Sequence, residues 1–562
     1  MSTSDHNVFP ATEDEKMRRF AQKHRDQLSR IAGLQAATLA ETLTLFSPAE
    51  LEEAIRLKLV KTFGEAMPFD RLAAQLAGDQ VRTLPAYTPH GGEAVYCTTP
   101  RVAAAEQSYF DGVKRLAARG DGLPRSKIAH SLHRFAERQE SRGRGSDPVM
   151  LDCLAYLLGR GQFKILSGPP GAGKSALLRA VAEAYAAYER PTFAAAPTDK
   201  AMESLATDLG VPGIRSSGLA EAIGKGTVPA GSLILFDEAG MEGTLTLSEI
   251  VTLAERHGIE LILAGDHKQI PSAAAGEPMP RTIDMLQRSS DLPHPVVLDN
   301  TYRQRSAGDR AAVLSAFRGN GQESVRHFDN AGGLDFRDGE AAVLAAAAEA
   351  LADAFHGGPQ QQPTALMLSL GDETTERANI AARRAFEGRG RLGKSKPVRT
   401  AAMIGDSPAD RILPLAAGDR IVLTGDILAE KPSGASVTLS AGSLATIRHI
   451  GGEAIEIGLD GSKSSRIIRR TDRVGRDCPL PINYGYALDV RTAQGMTTET
   501  AIFAVTAKID GPHYLVGVSR HTDKLRMVVD RDAYGNAAAL GEAASLHSAK
   551  RMIYDFEPAA TP

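Results

Sequence analysis

The sequence predicts an α/β fold with two parallel sheets, a small antiparallel β insertion and a helical N-terminal region. Short apolar runs begin at residue 161 and alternate with helical segments, which indicates a parallel sheet covered on both faces. A second series of this kind begins at Ala365–Leu370. Between 418 and 470 the pattern changes to alternating or apolar strands with Gly-rich turns, which predicts an antiparallel barrel or meander inserted into the second α/β unit.

The first sheet has four clear strand candidates, which are Phe163–Leu166, Thr192–Ala196, Leu233–Phe236 and Leu261–Ala264. Within the insertion the candidates are Ile421–Leu423, Leu444–Ile450, Ala454–Leu459 and Arg466–Ile468. Each run is three to seven residues long and is bounded by turn residues, as strands usually are.

Bulk composition sets the class of protein. The chain has 562 residues, 43% of them hydrophobic, and that length predicts about three or four domains. It has no run of about 18 apolar residues and no secretion signal, so we expect a cytoplasmic protein without a membrane span. Cys97, Cys153 and Cys478 include no CxxC pair and are expected to be reduced, buried thiols. A net charge of −3 leaves room for a local basic groove.

The N-terminal 85 residues follow a helical pattern. Ser47-Pro48-Ala49-Glu50 has the form of a capping box with proline in the first turn. Leu51, Ile55 and Leu59 then repeat every four residues and predict one buried stripe. The segment 86–100 is rich in Pro, Gly and Thr and is interpreted as a linker.

A basic segment follows between Arg125 and Arg144, with six basic residues against two acidic ones. Such a segment is either a solvated helix face or an arm that contacts a nucleic-acid backbone. His130 and His133 are expected to be surface residues on this helix.

The clearest motif is a complete GxxxxGK[ST] phosphate loop. It comprises Gly168, Pro169, Pro170, Gly171, Ala172, Gly173, Lys174 and Ser175, and it stands between an apolar run and an Ala-rich helix. Glycines allow backbone N–H groups to converge on phosphate oxygens at a helix N-terminus. Lys174 is predicted to reach the β- and γ-phosphates of ATP, and Ser175 is predicted to bind Mg²⁺.

An acid pair follows the apolar run 233–236. Asp237 is expected at the carboxyl end of this strand, beside the phosphate loop, where it would bind Mg²⁺. Glu238 would orient and deprotonate the attacking water, a role that favours hydrolysis over phosphoryl transfer to a hydroxyl.

Five further segments resemble superfamily 1 helicases, and with the phosphate loop and the acid pair they make seven motifs in the family order between 168 and 520. The resemblance is carried by 196–201 (APTDKA, motif Ia), 265–271 (GDHKQIP, motif III), 298–304 (LDNTYRQ, motif IV), 486–497 (motif V) and 514–520 (YLVGVSR, motif VI). It implies two RecA-like P-loop domains with ATP between them.

The same resemblance implies roles for individual residues. Gln269 would contact the γ-phosphate, and Arg303 and Arg520 would be the first and second arginine fingers. The residues that would contact single-stranded DNA are Pro197, Thr198, Gln494, Gly495 and Thr497.

Motif Ia has the form found in the RecD-like and relaxase branch. Weaker features are similar to the helicase portion of conjugative relaxases of the TraA and TraI type. They are 97–106 (CTTP…E), 210–218 and the wording of 237–241. The 418–470 insertion resembles the SH3-like element of the 5′→3′ branch.

The chain also departs from these families. It has no three-histidine cluster, so we expect no DNA nicking. Met150 stands where the adenine-reading glutamine belongs, and Arg491-Thr492 replaces the His-Lys of motif V. About 30 residues separate motif Ia from the acid strand, which is short for a strand-separating pin.

The sequence thus predicts an ATP-dependent DNA helicase or translocase, with 5′→3′ polarity; the alternative is a DNA-binding scaffold or regulatory ATPase that does not unwind duplex. The expected divisions are a helical region (1–85), a linker and helical lead-in (86–160), motor domain 1 (161–325), motor domain 2 (326–535) and a tail (536–562). The N-terminal region is a candidate docking site for a relaxase or a replication or recombination protein.

Overall fold

Two parallel sheets form the framework of this α/β protein, as expected from the sequence. The computed structural model describes residues 34–41, 43, 46–63, 82–87, 93–143, 145, 147–355, 364–404, 407–462, 464–471, 478–547, 550 and 552–555. Among these residues, no helix combines the length and the apolar character needed to cross a membrane. Cys97 and Cys153 are buried thiols, whereas Cys478 is partly exposed.

The N-terminal region contains a helix at 34–41 and helix α1 (Pro48–Phe63). The capping box is formed: the Glu50 carboxylate accepts from the Ser47 backbone N–H at 2.6 Å, and the Ser47 hydroxyl accepts from the Glu50 N–H at 3.2 Å. Leu51 and Ile55 are buried. The side chain of Leu59 and residues 1–33 and 64–81 lie outside the described residues.

The linker expected over 86–100 is wrong in most of its described residues, and the helical pattern expected for 1–85 is wrong from residue 82 onward. Strands β1 (Arg82–Tyr87) and β2 (Glu93–Thr98) pair antiparallel, with Arg82 opposite Thr98. The Val, Tyr and Thr residues of these strands favour β structure. Among the described residues β1 pairs with β2 alone, so Pro85 lies on an edge strand, where proline is tolerated. The high content of Pro, Gly and Thr therefore obscured a two-stranded hairpin.

The α/β domain that contains the phosphate loop, labelled motor domain 1 after the sequence prediction, has a five-stranded parallel sheet of order β3-β7-β6-β4-β5. Along β6, Leu233 and Leu235 enter one core while Ile234 and Phe236 enter the other, as expected for a sheet covered on both faces. Its strands are β3 (Phe163–Ser167), β4 (Thr192–Ala196), β5 (Gly213–Arg215), β6 (Leu233–Phe236) and β7 (Glu260–Gly265).

Helices cover both faces of this sheet, and some of them precede residue 161. The helices of this part of the chain are α2 (Pro100–Ala118), α3 (Arg125–Ser141), α4 (Pro148–Leu158), α5 (Lys174–Ala186), α6 (Asp199–Leu209), α7 (Ser216–Gly224), α8 (Thr244–His257) and α9 (Pro278–Arg288). Helices α2 and α4 contribute to the two cores, so the lead-in is part of the packed domain.

Most of the basic segment, Arg125–Ser141, forms helix α3, with His130 and His133 exposed as expected. Arg138 pairs with Glu183 of α5 at 2.7 Å, and Arg134 lies 4.0 Å from the same carboxylate. These contacts favour a helix face docked on the domain over a free arm.

Motor domain 2 has a parallel sheet of order β19-β9-β20-β21-β8. Its elements are α10 (Ala307–Phe317), α11 (Gly321–Asn330), β8 (Leu334–Arg337), α12 (Glu340–Ala354), β9 (Ala365–Ser369), α13 (Asp372–Gly388), β19 (Ala487–Asp489), β20 (Thr498–Val505), α14 (Gly511–Val518), β21 (His521–Asp530) and α15 (Ala537–Ser545). Alternate residues of β20 enter different cores, with Ile502 and Phe503 on opposite faces.

The insertion is antiparallel, as predicted, but it is larger than 418–470. It begins with a hairpin, β10 (Lys396–Ile404) and β11 (Ser407–Leu415). A seven-stranded sheet follows, in which the strands at the two edges are β14 and β18. Its strands are β12 (Arg420–Leu423), β13 (Ile427–Glu430), β14 (Ser436–Leu439), β15 (Leu444–Ile450), β16 (Ala454–Leu459), β17 (Ser465–Arg469) and β18 (Ile482–Tyr484).

The C-terminal segment returns to motor domain 1 after α15. Met552 is fully buried in one core of that domain, and Arg281 of α9 forms an ion pair with Asp555 at 2.9 Å. The chain thus crosses between the two domains a second time near its end.

Candidate nucleotide site

The phosphate loop joins β3 to α5 and so ends at a helix N-terminus, where backbone N–H groups and the helix dipole favour anions. Gly171 and Gly173 have φ values of +78° and +93°, a region that L side chains rarely adopt. The Lys174 ammonium donates to the carbonyls of Gly168 at 2.8 Å and Pro169 at 3.2 Å. Lys174 is therefore held at the mouth of the loop.

The acid pair stands at the end of β6. The Asp237 carboxylate accepts from the Glu238 N–H at 2.9 Å, and Glu238 adopts a left-handed φ of +53°. Burial, and then the neighbouring Asp237 charge, raise the pKa of Glu238 to about 7. A carboxyl group with this pKa can accept a proton near neutral pH. Asp237 and Ser175 line the same cavity, which fits a hydrated Mg²⁺ beside the phosphates.

Motif III follows β7. Asp266 is buried, and burial raises its pKa to about 6; one of its oxygens accepts from the Lys268 N–H at 2.9 Å. The other oxygen is buried without a hydrogen-bond partner. The amide oxygen of Gln269 accepts a hydrogen bond from Gln494 at 2.9 Å, which brings motif III of domain 1 against motif V of domain 2.

Motif IV lies directly on the phosphate loop. The Thr301 hydroxyl donates to the Pro170 carbonyl at 2.6 Å, and the Tyr302 N–H donates to the Gly171 carbonyl at 2.9 Å. Arg303 donates to the Ser519 carbonyl at 2.8 Å, so it spans toward motif VI. Burial lowers its pKa to about 10, which still leaves it charged at neutral pH.

Arg520 is fully buried and hydrogen-bonded at several points. Its guanidinium donates to the carbonyls of Val516 at 3.0 Å, Met496 at 3.3 Å and Ala493 at 3.4 Å, and to the Ser519 hydroxyl at 2.7 Å. Burial, and then the charge of Arg303, lower its pKa to about 9. Arg520, the second predicted arginine finger, is thus held by residues of its own domain and lines the cavity that both domains form.

One cavity of about 1150 Å³ connects these groups. It is lined by both domains and brings together the predicted residues Lys174, Ser175, Asp237, Glu238, Gln269, Arg303 and Arg520, and also Thr198, Gln494, Gly495 and Thr497. Pro197 does not line it. Thr198 caps helix α6, accepting from the Ala201 N–H at 3.3 Å.

Met150, which stands where the adenine-reading glutamine was expected, packs against the phosphate loop. A Cβ on Gly173 would come within 2.8 Å of the Met150 methyl group. An apolar methionine cannot read a base edge through paired donors and acceptors as a glutamine amide does.

Sequence reasoning missed several residues of the site. Asp266 belongs to motif III, so the motif alone could have identified it as a site residue. Thr301 and Gln304 also stand inside motif IV, but only the structure gives their partners. The cavity wall supplied by Arg420 and Asp460 comes from the β insertion and had no sequence signal.

The sequence matches one family model and is similar to known conjugal transfer proteins. A family model described as an AAA domain matches residues 151–338. The conjugal transfer protein TraA of Rhizobium radiobacter is 23% identical over 466 residues, covering 80% of this chain and 40% of the relative. TraA of Agrobacterium fabrum (strain C58 / ATCC 33970) is 24% identical over 410 residues, covering 72% and 34%. The chain thus spans about two fifths or less of the length of these relatives.

Two solved structures are also similar. The Pif1 helicase from Bacteroides in complex with ADP-AlF3 and ssDNA has a TM-score of 0.44 at 14% identity, covering 70% of this chain and 94% of that one. The Pif1 helicase from Candida albicans has a TM-score of 0.45 at 15% identity, covering 73% and 98%.

The two parallel sheets, the matched AAA domain and the phosphate loop define a P-loop ATPase, and its ordered motifs resemble those of superfamily 1 helicases. Over 72–80% of its length the chain is similar to the TraA conjugal transfer proteins.

Proposed function

We propose that this protein is an ATP-driven motor that moves along single-stranded DNA with 5′→3′ polarity and unwinds duplex ahead of it. The observation that carries the proposal is the single cavity in which the phosphate loop, the acid pair and both arginines of motifs IV and VI meet. The proposed division keeps two motor domains near the expected 161–325 and 326–535, but with three shifts. Helices α2 to α4 pack with motor domain 1, and helices α10, α11 and α15 pack with motor domain 2. The insertion runs from β10 to β18 rather than over 418–470, and the remaining parts of 1–85, 86–160 and 536–562 flank the motor domains.

ATP would bind with its phosphates on Gly168–Ser175. Lys174 would leave the carbonyls that it now contacts and bind the β- and γ-phosphates. Ser175 and Asp237 would hold Mg²⁺, whose charge neutralises phosphate oxygens. Glu238 would accept the proton of the attacking water, and Gln269 would contact the γ-phosphate. The raised pKa of Glu238 supports its assignment as the base.

Arg303 and Arg520 would stabilise the charge that spreads over the transferring phosphoryl group. Groups of this kind contribute about 10³–10⁵ in rate. Arg520 would reach the phosphate only when the cleft closes, which requires exchange of its present carbonyl partners. Closure on ATP and opening after hydrolysis would move DNA by one step, because ATP contacts the two states differently.

Single-stranded DNA would cross both domains along Pro197, Thr198, Gln494, Gly495 and Thr497. Its phosphates would supply most of the affinity, so binding should weaken steeply with salt. The TraA relatives are named for conjugal transfer, and we propose that this chain acts in the transfer of DNA between cells. A relaxase or a replication or recombination protein would dock on the N-terminal region.

The decisive experiment measures ATP hydrolysis by the purified protein with and without single-stranded DNA. Strong stimulation by DNA is the expected result, and tailed duplexes would then report polarity and strand displacement. A measurable rate that is indifferent to DNA would contradict the motor.

A second candidate is a DNA-binding or regulatory ATPase that does not unwind duplex. The stretch between motif Ia and the acid strand supports it, because its elements are α6, β5 and α7, and none of them is a hairpin that could serve as a pin. DNA-stimulated hydrolysis without strand displacement on either tailed duplex would favour this candidate.

A further inference from the structure

The segment 301–305 is attached to the phosphate loop on one side. Thr301 and Tyr302 hydrogen-bond to the carbonyls of Pro170 and Gly171, at 2.6 and 2.9 Å. The backbones also approach closely: a Cβ on Gly171 would lie 2.6 Å from the Cβ of Arg303. A movement of the phosphate loop must therefore move this segment.

The same segment is attached to motif VI on its other side. The Gln304 amide nitrogen donates to the His521 carbonyl at 3.1 Å and to the Ser519 carbonyl at 3.4 Å. The next backbone N–H, of Arg305, donates to the Thr522 carbonyl at 2.8 Å. Two of these three carbonyls belong to the residues immediately before and after Arg520.

The Gln304 side chain is only 1% exposed and is not among the residues that line the cavity. It shares the Ser519 carbonyl with the Arg303 guanidinium, which lies 2.8 Å away. When Arg303 turns toward a phosphate, it must release this carbonyl. Gln304 would then keep the carbonyl satisfied and hold the backbone of motif VI in place, since a buried carbonyl left without a donor is costly.

We infer that Gln304 is a positioning residue that ties the backbone around Arg520 to the phosphate loop, so that the two arginines reach the nucleotide together. The inference rests on the proposed function, because it takes both arginines as transition-state groups. Gln304 acts only through its neighbours. The feature that this role requires is the amide N–H donor. A side chain of the same length without that donor cannot hold the two carbonyls.

The test is a double-mutant cycle on single-turnover ATP hydrolysis in the absence of DNA. Gln304→Glu and Gln304→Met keep the length of the side chain and remove the N–H donor, and Met adds no charge. Each should lower the hydrolysis rate by about ten- to a hundredfold, as expected for a lost buried hydrogen bond in the transition state. The Kd of a fluorescent ATP analogue should stay within about twofold of wild type.

In the Arg520→Ala background the same Gln304 substitutions should cause little further loss, because residues that act as a unit are not additive. The matched control is Gln287→Glu, an exposed position on α9, which should leave the rate unchanged. Thermal unfolding of each variant reports whether the fold is retained, and the Met variant covers the case in which a buried carboxylate unfolds the protein.

The inference would be overturned if the fold-losses in hydrolysis rate of the two single variants multiplied in the double variant. It would also be overturned if the Gln304 variants bound the ATP analogue with a larger Kd but hydrolysed ATP at the wild-type rate. Because the cycle is measured without DNA, an absence of DNA stimulation in wild type would contradict the proposed motor and leave the cycle readable. The two failures are therefore distinguishable.

Discussion

The Gln494 amide donates to the Gln269 amide oxygen at 2.9 Å, across 225 positions of sequence. Gln269 follows the last strand of the first sheet, and Gln494 lies in the loop before β20 of the second. This contact directly joins the motif expected at the γ-phosphate to a motif expected at DNA. It is a physical route by which DNA binding could alter the geometry of the hydrolysis site.

The first prediction concerns this contact. Gln494→Ala removes the donor, so the DNA-stimulated ATPase rate should fall by about five- to a hundredfold, the usual range of a coupling free energy between sites. The rate without DNA should fall less. Steady-state hydrolysis over a titration of single-stranded DNA measures both. Gln287→Ala, at an exposed position, is the control, and equal losses with and without DNA would count against coupling through this pair.

The parallel sheets and the phosphate loop were predictable because their signals are local. The run Leu233–Phe236 is a strand with the predicted ends, and the acid pair follows it directly. The hairpin at 82–98 was missed because Pro and Gly outweighed its β-forming residues. Gln304 could not be assigned, since its partners lie about 215 positions away and a glutamine inside a motif does not specify which carbonyls it contacts.

The packing of the C-terminal segment on motor domain 1 could also not be predicted from the sequence. Met552 stands in the short run 551–556 (RMIYDF), which is too short to show a periodicity that would mark it as part of a core. Only the packed structure shows it buried among residues of motor domain 1. The extent of the insertion was underestimated for a related reason: β10 and β11 precede the alternating pattern on which the 418–470 limit depended.

The second prediction is a pH dependence. Glu238 must be ionised to accept a proton, and burial and Asp237 raise its pKa to about 7 in the free protein. The kcat/KM for ATP should therefore fall as the pH is lowered below 7 and level off above it, because the protonated form dominates on the acid side. Initial rates between pH 5.5 and 9 at constant ionic strength, an interval of about 3.5 units around this pKa, test this. A flat profile would exclude Glu238 as the base.

The third prediction concerns a buried ion cluster away from the cleft. Glu260 accepts from Tyr185 at 2.8 Å and pairs with Lys164 and Arg190, and Lys164 is fully buried. Glu260→Gln would leave the Lys164 charge poorly compensated, which typically costs about 3–5 kcal/mol. The temperature of the thermal unfolding transition of motor domain 1 should therefore fall.

The matched control for this cluster is Glu221→Gln. Glu221 pairs with Lys225 on the surface of α7, where both side chains are about two-thirds exposed. Exposed pairs contribute about 0–1 kcal/mol, so its unfolding transition should scarcely move. Equal shifts in the two variants would show that the Glu260 cluster contributes no more than a surface pair.

The fourth prediction separates nucleotide binding from turnover. Lys174→Ala should abolish ATP hydrolysis and weaken binding, because it removes the cation expected at the β- and γ-phosphates. Retained wild-type turnover would contradict the assignment of the phosphate site. Equilibrium binding of a fluorescent ATP analogue and phosphate release together distinguish the two effects.

Arg520→Ala should have a different signature, with nucleotide binding close to wild type and turnover lowered by about 10³–10⁵. Arg520→Lys should not restore turnover, because one ammonium cannot replace a planar fork that donates to three carbonyls and a hydroxyl. Since this side chain is fully buried, thermal unfolding of both variants must accompany the rates. Turnover that survives in a folded Arg520→Ala variant would mean that hydrolysis does not require closure of motor domain 2 onto the nucleotide.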